Sequence, residues 1–221
     1  RDYALLKSTG VATIALAKKY QERVGADASI YPGISIETIT PSYEHGSGLI
    51  TIGRITDQKG IHLAIEIALK ANKKLTIVGN LGKSGERQKY YEEEIKPFID
   101  GDSVSLIETI PNGELLKLIA KSEALLFPII RPETFGRVSA EALACGTPVI
   151  GTLIDPLPEL LTDPKVSFLS DDIDTLAEAA KNTEKFDRKA CRKYAEDRFD
   201  IRKTAEEHIL LYEKAIREYK K

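Results

Sequence analysis

The chain has 221 residues, which is enough for one well-buried domain, or for one domain plus a fragment of another. Its formal net charge is -2, with 42% hydrophobic and 30% charged residues, so the composition does not favour nucleic acid as a partner. Cys145 and Cys191 are the only cysteines, which excludes a disulfide framework and suits a reducing compartment. No apolar run approaches the roughly 20 residues that cross a membrane, and no signal peptide is visible, so we expect a cytoplasmic protein.

The amino-terminal part of the chain predicts a fragment rather than a whole domain. Residues 11–16 have the composition of a short strand, residues 17–24 of a helix, and residues 28–33 of a strand that ends in a turn. Residues 38–48 are rich in Ser, Pro and Gly and predict a linker. The chain starts with Arg1 and contains no Met, so we expect it to be cut from a longer protein, with residues 1–37 the tail of an incomplete first domain.

From residue 49 onward, short apolar runs alternate with amphipathic stretches. This alternation predicts a parallel sheet covered by helices on both faces: an α/β, Rossmann-like, doubly wound domain over residues 49–186. Charged helices at 187–221 are expected to pack back on it through Tyr194, Phe199, Tyr212 and Tyr219. The predicted strands are 49–52, 75–78, 104–107, 124–127, 148–150 and 166–168, and the predicted helices are 61–71, 88–99, 112–122, 136–144, 158–161 and 173–181.

The segment from Gly53 to Gly60 is the first candidate for a site, because ligands of such sheets bind outside the carboxyl ends of the strands. Gly53 permits a sharp turn after the first strand, and Gly60 comes just before a helix. Arg54 and Lys59 would project from this loop, and two fixed cations beside a helix N-terminus suit a diphosphate. A solvated turn with ordinary surface charges is an equally good interpretation of the spacing alone.

Glu133 and Glu141 are the second candidate. Glu133 lies in the loop after a buried strand and Glu141 on the following helix, whose first free N–H groups would attract an anion. We expect Thr134 to cap that helix. Small and apolar neighbours predict that Glu141 is partly buried and needs hydrogen-bond partners. We therefore favour recognition of ligand hydroxyls by this pair. The alternative is that Glu133 is only a favourable charge at a helix start and Glu141 a surface residue.

Asp172 and Asp174 are separated by one residue, a spacing that holds a divalent ion in some enzymes. Here the pair precedes a helix, far in sequence from the two candidate loops. We therefore predict that Asp172 is a helix cap and that the chain has no metal site.

Together these segments resemble the donor site of family 4 of the retaining glycosyltransferases, which have the two-domain GT-B fold. The resemblance rests on Gly53, Arg54, Lys59 and Gly60, on the turn at Gly79, and on Glu133 followed seven residues later by Glu141 and by a small-residue turn into Pro148 and Val149. The pair Pro158-Glu159 also matches. The similarity covers about residues 28–215 and implies the carboxyl-terminal, nucleotide-sugar-binding domain of such an enzyme.

The resemblance implies a role for each matched residue. Arg54 and Lys59 would hold the donor diphosphate, Glu133 the sugar hydroxyls and Glu141 the ribose, which makes Arg54, Lys59 and Glu133 the expected catalytic residues. Where the family often has an aliphatic residue, this chain has Arg137, which would either alter the choice of sugar or add a phosphate contact, so the donor sugar stays open. The expected donor-binding residues are Gly53, Arg54, Lys59, Gly79, Ile110, Pro111, Asn112, Glu133, Thr134, Phe135, Gly136, Arg137, Val138 and Glu141.

The activity that the resemblance implies is transfer of a hexosyl group from a UDP-, GDP- or ADP-sugar with retention, without a metal ion and without a cofactor besides the donor substrate. The acceptor, a saccharide, lipid or small molecule, would bind mainly to the missing first domain, which also leaves a peripheral membrane contact open. We therefore expect the chain to be inactive alone. A non-catalytic nucleotide-sugar-binding or assembly module that kept the same fold is the alternative.

Overall fold

The computed structural model describes residues 13–82 and 85–219, the last two of these through their backbone only. The predictions for residues 11 and 12 and for the side chain of Tyr219 lie outside this part of the chain. The amino-terminal segment forms strand β1 (Ile14–Ala15), helix α1 (Lys18–Val24) and strand β2 (Ala28–Ser29), and the two strands pair in parallel.

Six parallel strands form the main sheet of the described chain, and the apolar runs of its four central strands are mostly buried. The predictions for the first four strands are confirmed to the residue. The last two strands lie one residue later than predicted. The strands are β3 (Leu49–Ile52), β4 (Leu75–Val78), β5 (Val104–Ile107), β6 (Ala124–Phe127), β7 (Val149–Gly151) and β8 (Ser167–Leu169), in the sheet order β5-β4-β3-β6-β7-β8.

Helices cover both faces of this sheet, as predicted. One apolar cluster joins helices α2 (Ile61–Ala71) and α7 (Ile173–Lys181) to the face that presents Leu49, and the other joins α5 (Arg137–Ala144) and α8 (Arg188–Phe199) to the face that presents Ile50. Alternate residues of one strand thus enter opposite clusters, as the period of a strand requires. The helices are α2 (Ile61–Ala71), α3 (Glu86–Tyr90), α4 (Asn112–Lys121), α5 (Arg137–Ala144), α6 (Leu157–Leu160), α7 (Ile173–Lys181), α8 (Arg188–Phe199) and α9 (Ile201–Tyr219).

The helix predicted at residues 88–99 differs from the structure. An α-helix runs only from Glu86 to Tyr90, and it continues as a π-turn at Tyr91–Ile95 and a 3-10 turn at Lys96–Phe98. Pro97, which has no N–H and restricts the residue before it, ends the α-helical pattern. Ile95 is fully buried in the α2 cluster despite the irregular backbone.

The segment at residues 38–48 runs along the amino-terminal ends of the strands. Ser42 N–H donates to Cys145 O at 3.0 Å, and Ser42 O accepts from Arg188 Nε at 3.0 Å. The Arg188 guanidinium also donates to Ala120 O and Ser122 O, so one buried arginine ties this segment, the end of α4 and the start of α8 together.

The aromatic residues of the C-terminal helices divide into two groups. Phe199 is fully buried and Tyr194 packs against the same cluster, as predicted. Tyr212 is 56% exposed, so its predicted packing is wrong, because α9 presents Ile209, Tyr212 and Ile216 to solvent. Among the described residues, no helix combines the length and the apolar character needed to span a bilayer.

Glu159 connects the amino-terminal segment to the main sheet. Its carboxylate accepts hydrogen bonds from the N–H groups of Lys18 and Lys19 at 2.8 and 2.9 Å, at the start of α1, and from Tyr31 Oη at 2.6 Å. Burial alone would raise the pKa of Glu159, but these hydrogen bonds outweigh it and lower the pKa. These contacts join residues about 140 positions apart in the sequence.

Candidate functional site

The two candidate loops meet at the topological switch point of the sheet. β3 and β6 are neighbours in the centre, and the chain proceeds from β3 through β4 to β5 on one side and from β6 through β7 to β8 on the other. The loops that follow β3 and β6 therefore leave the sheet side by side and open a crevice at its carboxyl edge. The segment at 53–60 forms one wall of this crevice and the segment at 128–137 the other.

Backbone contacts lock the two loops together. Ile130 N–H donates to Gln58 O at 3.1 Å. Gly60 has φ +64° and lies so close to Pro128 that an added Cβ would be 1.8 Å from its carbonyl oxygen. Only glycine fits this conformation and this gap without displacement, which explains why the loop after β3 ends in glycine.

The turn after β4 is packed against the same loop. A Cβ at Gly79 would lie 2.1 Å from Gly53 O, and Gly53 N–H donates to Val78 O at 3.0 Å. The side chain of Lys59 passes over Gly53, where an added Cβ would touch Lys59 Cδ at 3.3 Å. Gly53 thus leaves room for the Lys59 side chain to cross the end of β3.

Lys59 and Glu133 form an ion pair across the crevice, which joins the two predicted motifs directly. Both side chains are about four-fifths buried, with exposures of 18% and 22%. Lys59 Nζ also lies 5.6 Å from the centroid of the Phe127 ring, within cation–π range, and Glu133 N–H donates to Asp155 O at 3.0 Å. The ammonium and the carboxylate are therefore both held at fixed positions at the end of β6.

Arg54 occupies a different position from Lys59. Its side chain is exposed, makes no hydrogen bond or ion pair with any described residue, and lines a cleft of about 560 Å³ together with Arg87 and Tyr90. Neither Lys59 nor Glu133 lines this cleft. The structure thus places the two predicted diphosphate ligands, Arg54 and Lys59, on one loop without directing them into one cavity.

The helix α5 begins at the crevice, but Thr134 does not cap it. The cap position is Gly136, with φ +82°, and no side chain accepts a hydrogen bond there, because the helix starts three residues after Thr134. The N–H groups of Arg137 and Val138 have no acceptor within the described part of the chain. Phe135 is buried against Tyr31 and Phe199, so only its backbone can belong to the site.

Glu141 lies one turn into α5 and is 9% exposed, as expected from its small neighbours. Arg137 Nε donates to Glu141 Oε1 at 2.8 Å. Burial raises the pKa of Glu141, while the charge and hydrogen bond of Arg137 act in the opposite direction. The nearby thiol of Cys145 is also desolvated, and its pKa is raised to about 12.

The segment at Ile110, Pro111 and Asn112 follows β5 and leads into α4 at the same edge of the sheet. β5 is three strand positions from β6, a separation of about 14 Å at the usual spacing of about 4.8 Å. The carboxyl edge therefore offers a row of loops suited to an extended ligand, from the β5 loop to the N-terminus of α5.

Two features of the crevice were missed in the sequence. The Lys59–Glu133 ion pair joins residues 74 positions apart, and no pattern in the sequence indicates it. The Arg137–Glu141 pair has the i,i+4 spacing of a helical ion pair and could have been predicted.

Asp172 accepts from Thr175 N–H at 2.7 Å, which confirms it as a helix cap. The described residues contain no cluster of His, Cys, Asp and Glu fit for a metal ion.

The sequence profile of the family described as glycosyl transferases group 1 matches residues 36–208. A D-inositol 3-phosphate glycosyltransferase of Corynebacterium urealyticum is 26% identical over 195 residues, which covers 78% of this chain and 46% of the relative. The chain thus spans about half the length of this curated relative. The range matched by the family profile, residues 36–208, includes every residue of the crevice.

Solved structures show the same fold. Sucrose-phosphate synthase from Thermosynechococcus elongatus superposes with a TM-score of 0.78 at 20% identity, covering 98% of this chain and 62% of that protein. Anabaena HepE in complex with UDP superposes with a TM-score of 0.78 at 21% identity, covering 92% of this chain and 64% of that one. These likenesses establish the architecture predicted from the strand and helix pattern.

Proposed function

The chain belongs to the glycosyl transferases group 1 family, and on that premise we propose that it is the donor-binding half of a retaining family 4 enzyme. In this proposal the enzyme transfers a hexosyl group from a UDP-, GDP- or ADP-sugar to an acceptor bound chiefly by a companion domain. The acceptor is a saccharide, a lipid or a small molecule. The D-inositol 3-phosphate glycosyltransferase named above supports a phosphorylated polyol as one candidate within this range.

The observation that carries the proposal is the meeting of two charged loops at the switch point. Lys59 and Glu133 form a partly buried ion pair there, beside the N–H groups of Arg137 and Val138 at the start of α5, which have no acceptor among the described residues. Cations and a helix N-terminus bind phosphate, and a carboxylate beside them accepts hydrogen bonds from hydroxyls. A nucleotide diphosphate sugar carries both kinds of group next to each other.

The proposed chemistry is stabilisation of the leaving diphosphate as the anomeric bond breaks. Lys59 and the N-terminus of α5 supply positive charge at the crevice, and Arg54 on the same loop turns toward the diphosphate once it is bound, so that all three stabilise the negative charge that develops. Glu133 orients the sugar through its hydroxyls, and Glu141 accepts a hydrogen bond from the ribose. The proposal requires no metal ion and no further cofactor.

The ion pair also has a role before the donor arrives. An unpaired ammonium with 18% exposure would be costly, and Glu133 offsets that cost. When a diphosphate binds, it competes for Lys59, and Glu133 becomes free to accept from sugar hydroxyls. The ion pair thus holds both side chains ready for the two groups of the donor.

Isothermal titration calorimetry with UDP-, GDP- and ADP-sugars tests this proposal on the chain as it stands. We expect one nucleotide class to bind, and we expect Arg54→Ala to weaken the nucleotide diphosphate more than the matching nucleoside. Lys121→Ala at the far end of α4, at the amino-terminal side of the sheet, is the control that leaves both affinities unchanged. Absence of binding by all three classes to the folded protein would refute the donor-site assignment.

A further inference from the structure

Arg137 occupies an unfavourable place for a cation if its role is only structural. It is the first residue of α5, where the helix dipole favours anions, and it precedes Glu141 by four residues. Glu before a basic residue is the favourable order for such a pair, and the order here is the reverse. Local rules of helix stability are most often broken at functional positions.

The two partners of this ion pair lie in different environments. The Arg137 side chain is 69% exposed, whereas the Glu141 side chain is 11% exposed. Ala140, Ala142 and Leu143 around Glu141 are fully buried and offer it no polar group. Arg137 is the only described side chain that bonds to this carboxylate, through Oε1, and Oε2 makes no hydrogen bond to a described residue.

We propose that Arg137 is a positioning residue for nucleotide binding, which holds Glu141 charged and oriented so that the other carboxylate oxygen meets the ribose. Arg137 then contributes to affinity through the ribose and not as one more phosphate ligand. This inference rests on the proposed function, since it assigns Arg137 as the partner of Glu141, the residue that binds the ribose there.

The pH dependence follows from the charges around Glu141. Burial raises the pKa of Glu141, and the charge and hydrogen bond of Arg137 counteract the rise. The buried thiol of Cys145 stays neutral, because its own pKa is raised to about 12. Without Arg137, the pKa of Glu141 rises further. The carboxylate is then protonated as the pH falls, at a higher pH than in the wild type, and the ribose loses a charged acceptor first in mildly acidic solution.

The test compares UDP, GDP and ADP with their 2′,3′-dideoxy forms by calorimetry at about pH 5.5, nearer to the ordinary range of a carboxyl group, and at about pH 8, well above it. The proteins are the wild type, Arg137→Leu and Arg137→Lys. Lys193→Leu is the matched control, because Lys193 is also 69% exposed and also pairs at i,i+4 spacing, with the half-exposed Asp197.

We expect Arg137→Leu to reduce the preference for the ribonucleotide about fivefold or more at the lower pH, the effect of losing a charge-assisted hydrogen bond. The preference should recover at the higher pH and in Arg137→Lys, and Lys193→Leu should equal the wild type. Equal weakening of ribo and dideoxy forms would overturn the inference in favour of a phosphate contact. No change in either form would reduce the pair to a surface contact.

These outcomes are distinct from failure of the proposed function. If the wild type binds none of the three nucleotides, the donor site itself is wrong. If the wild type binds one of them with a ribose preference that Arg137→Leu retains at both pH values, only the role of Arg137 is wrong. Circular dichroism of each variant checks that the fold is intact, and Arg137→Lys keeps the comparison decisive even if the leucine variant folds poorly.

Discussion

Replacing Gly60 by alanine should separate the two loops of the crevice. Gly60 has φ +64°, and an alanine there costs about 1–2 kcal/mol from backbone strain alone. Its Cβ would lie 1.8 Å from Pro128 O, whereas ordinary contact begins at 3.4 Å, so the carbonyl would have to retreat by about 1.6 Å, the difference of these two distances. A displacement of about 1 Å in a binding site can reduce function about a hundredfold.

The assay for Gly60→Ala combines chemical denaturation with calorimetry of the nucleotide that the wild type binds. We expect a loss of about 2 kcal/mol or more in the free energy of unfolding, and a loss of affinity larger than the loss of stability would explain. Gly101→Ala is the matched control, because Gly101 also has a positive φ, +80°, but nothing lies within 4 Å of its added Cβ, and it precedes β5 at the opposite edge of the sheet. That variant should bind normally and lose only the backbone-strain cost of about 1–2 kcal/mol. Wild-type stability and affinity in Gly60→Ala would contradict the close packing of Gly60 against Pro128.

Lys59→Ala should weaken nucleotide diphosphate binding about tenfold or more and nucleoside binding little. Lys74→Ala removes an exposed lysine that pairs with Asp102 and should change neither affinity. Equal losses of affinity for the nucleotide diphosphate and the nucleoside in Lys59→Ala would exclude a phosphate role. Glu159→Gln should cost about 1–2 kcal/mol of stability, because a charged acceptor of three hydrogen bonds is lost. The folded pKa of Glu159 is lowered, so the stability that this carboxylate contributes is present above the unfolded pKa of about 4.5 and is lost as the pH falls through the folded pKa. Glu159→Gln should lack that part of the acid dependence of stability when denaturation is measured between about pH 3 and pH 7. An acid dependence equal to that of the wild type would contradict this role of Glu159. Cys145 and Cys191 are buried and the pKa of each is raised to about 12, so a thiol reagent at neutral pH should label them only after unfolding; rapid labelling of the folded protein would contradict the burial of both.

The strands could be predicted because buried parallel strands are nearly continuous apolar runs bounded by turn residues. Ala124–Phe127 and Leu75–Val78 have this character, and each agrees with the structure to the residue. The helix at 88–99 could not be predicted in detail, because its polar pattern does not distinguish α-helical turns from the π-turn and the 3-10 turn that lead up to and contain Pro97. Local propensity is a weak guide wherever tertiary packing opposes it.

The candidate site was predictable to the level of loops but not of contacts. Carboxyl ends of parallel strands share one edge, so Lys59 and Glu133 could be assigned to the same edge from the strand pattern. Their ion pair depends on β3 and β6 being neighbours, which the order of strands along the chain does not determine. The hydrogen bonds from Lys18 and Lys19 to Glu159 depend in the same way on the path of the whole chain.

Backbone amide chemical shifts during titration with the nucleotide diphosphate that the wild type binds would locate the ligand directly. A donor at the switch point predicts the largest shifts at Arg137 and Val138, whose N–H groups have no acceptor among the described residues, and at Gly53 beside Lys59. Gly101, which precedes β5 at the amino-terminal edge of the sheet, should move little. Shifts centred instead on the opposite edge of the sheet, around His45 and Thr183, with Arg137 and Val138 unmoved, would contradict a donor site between β3 and β6.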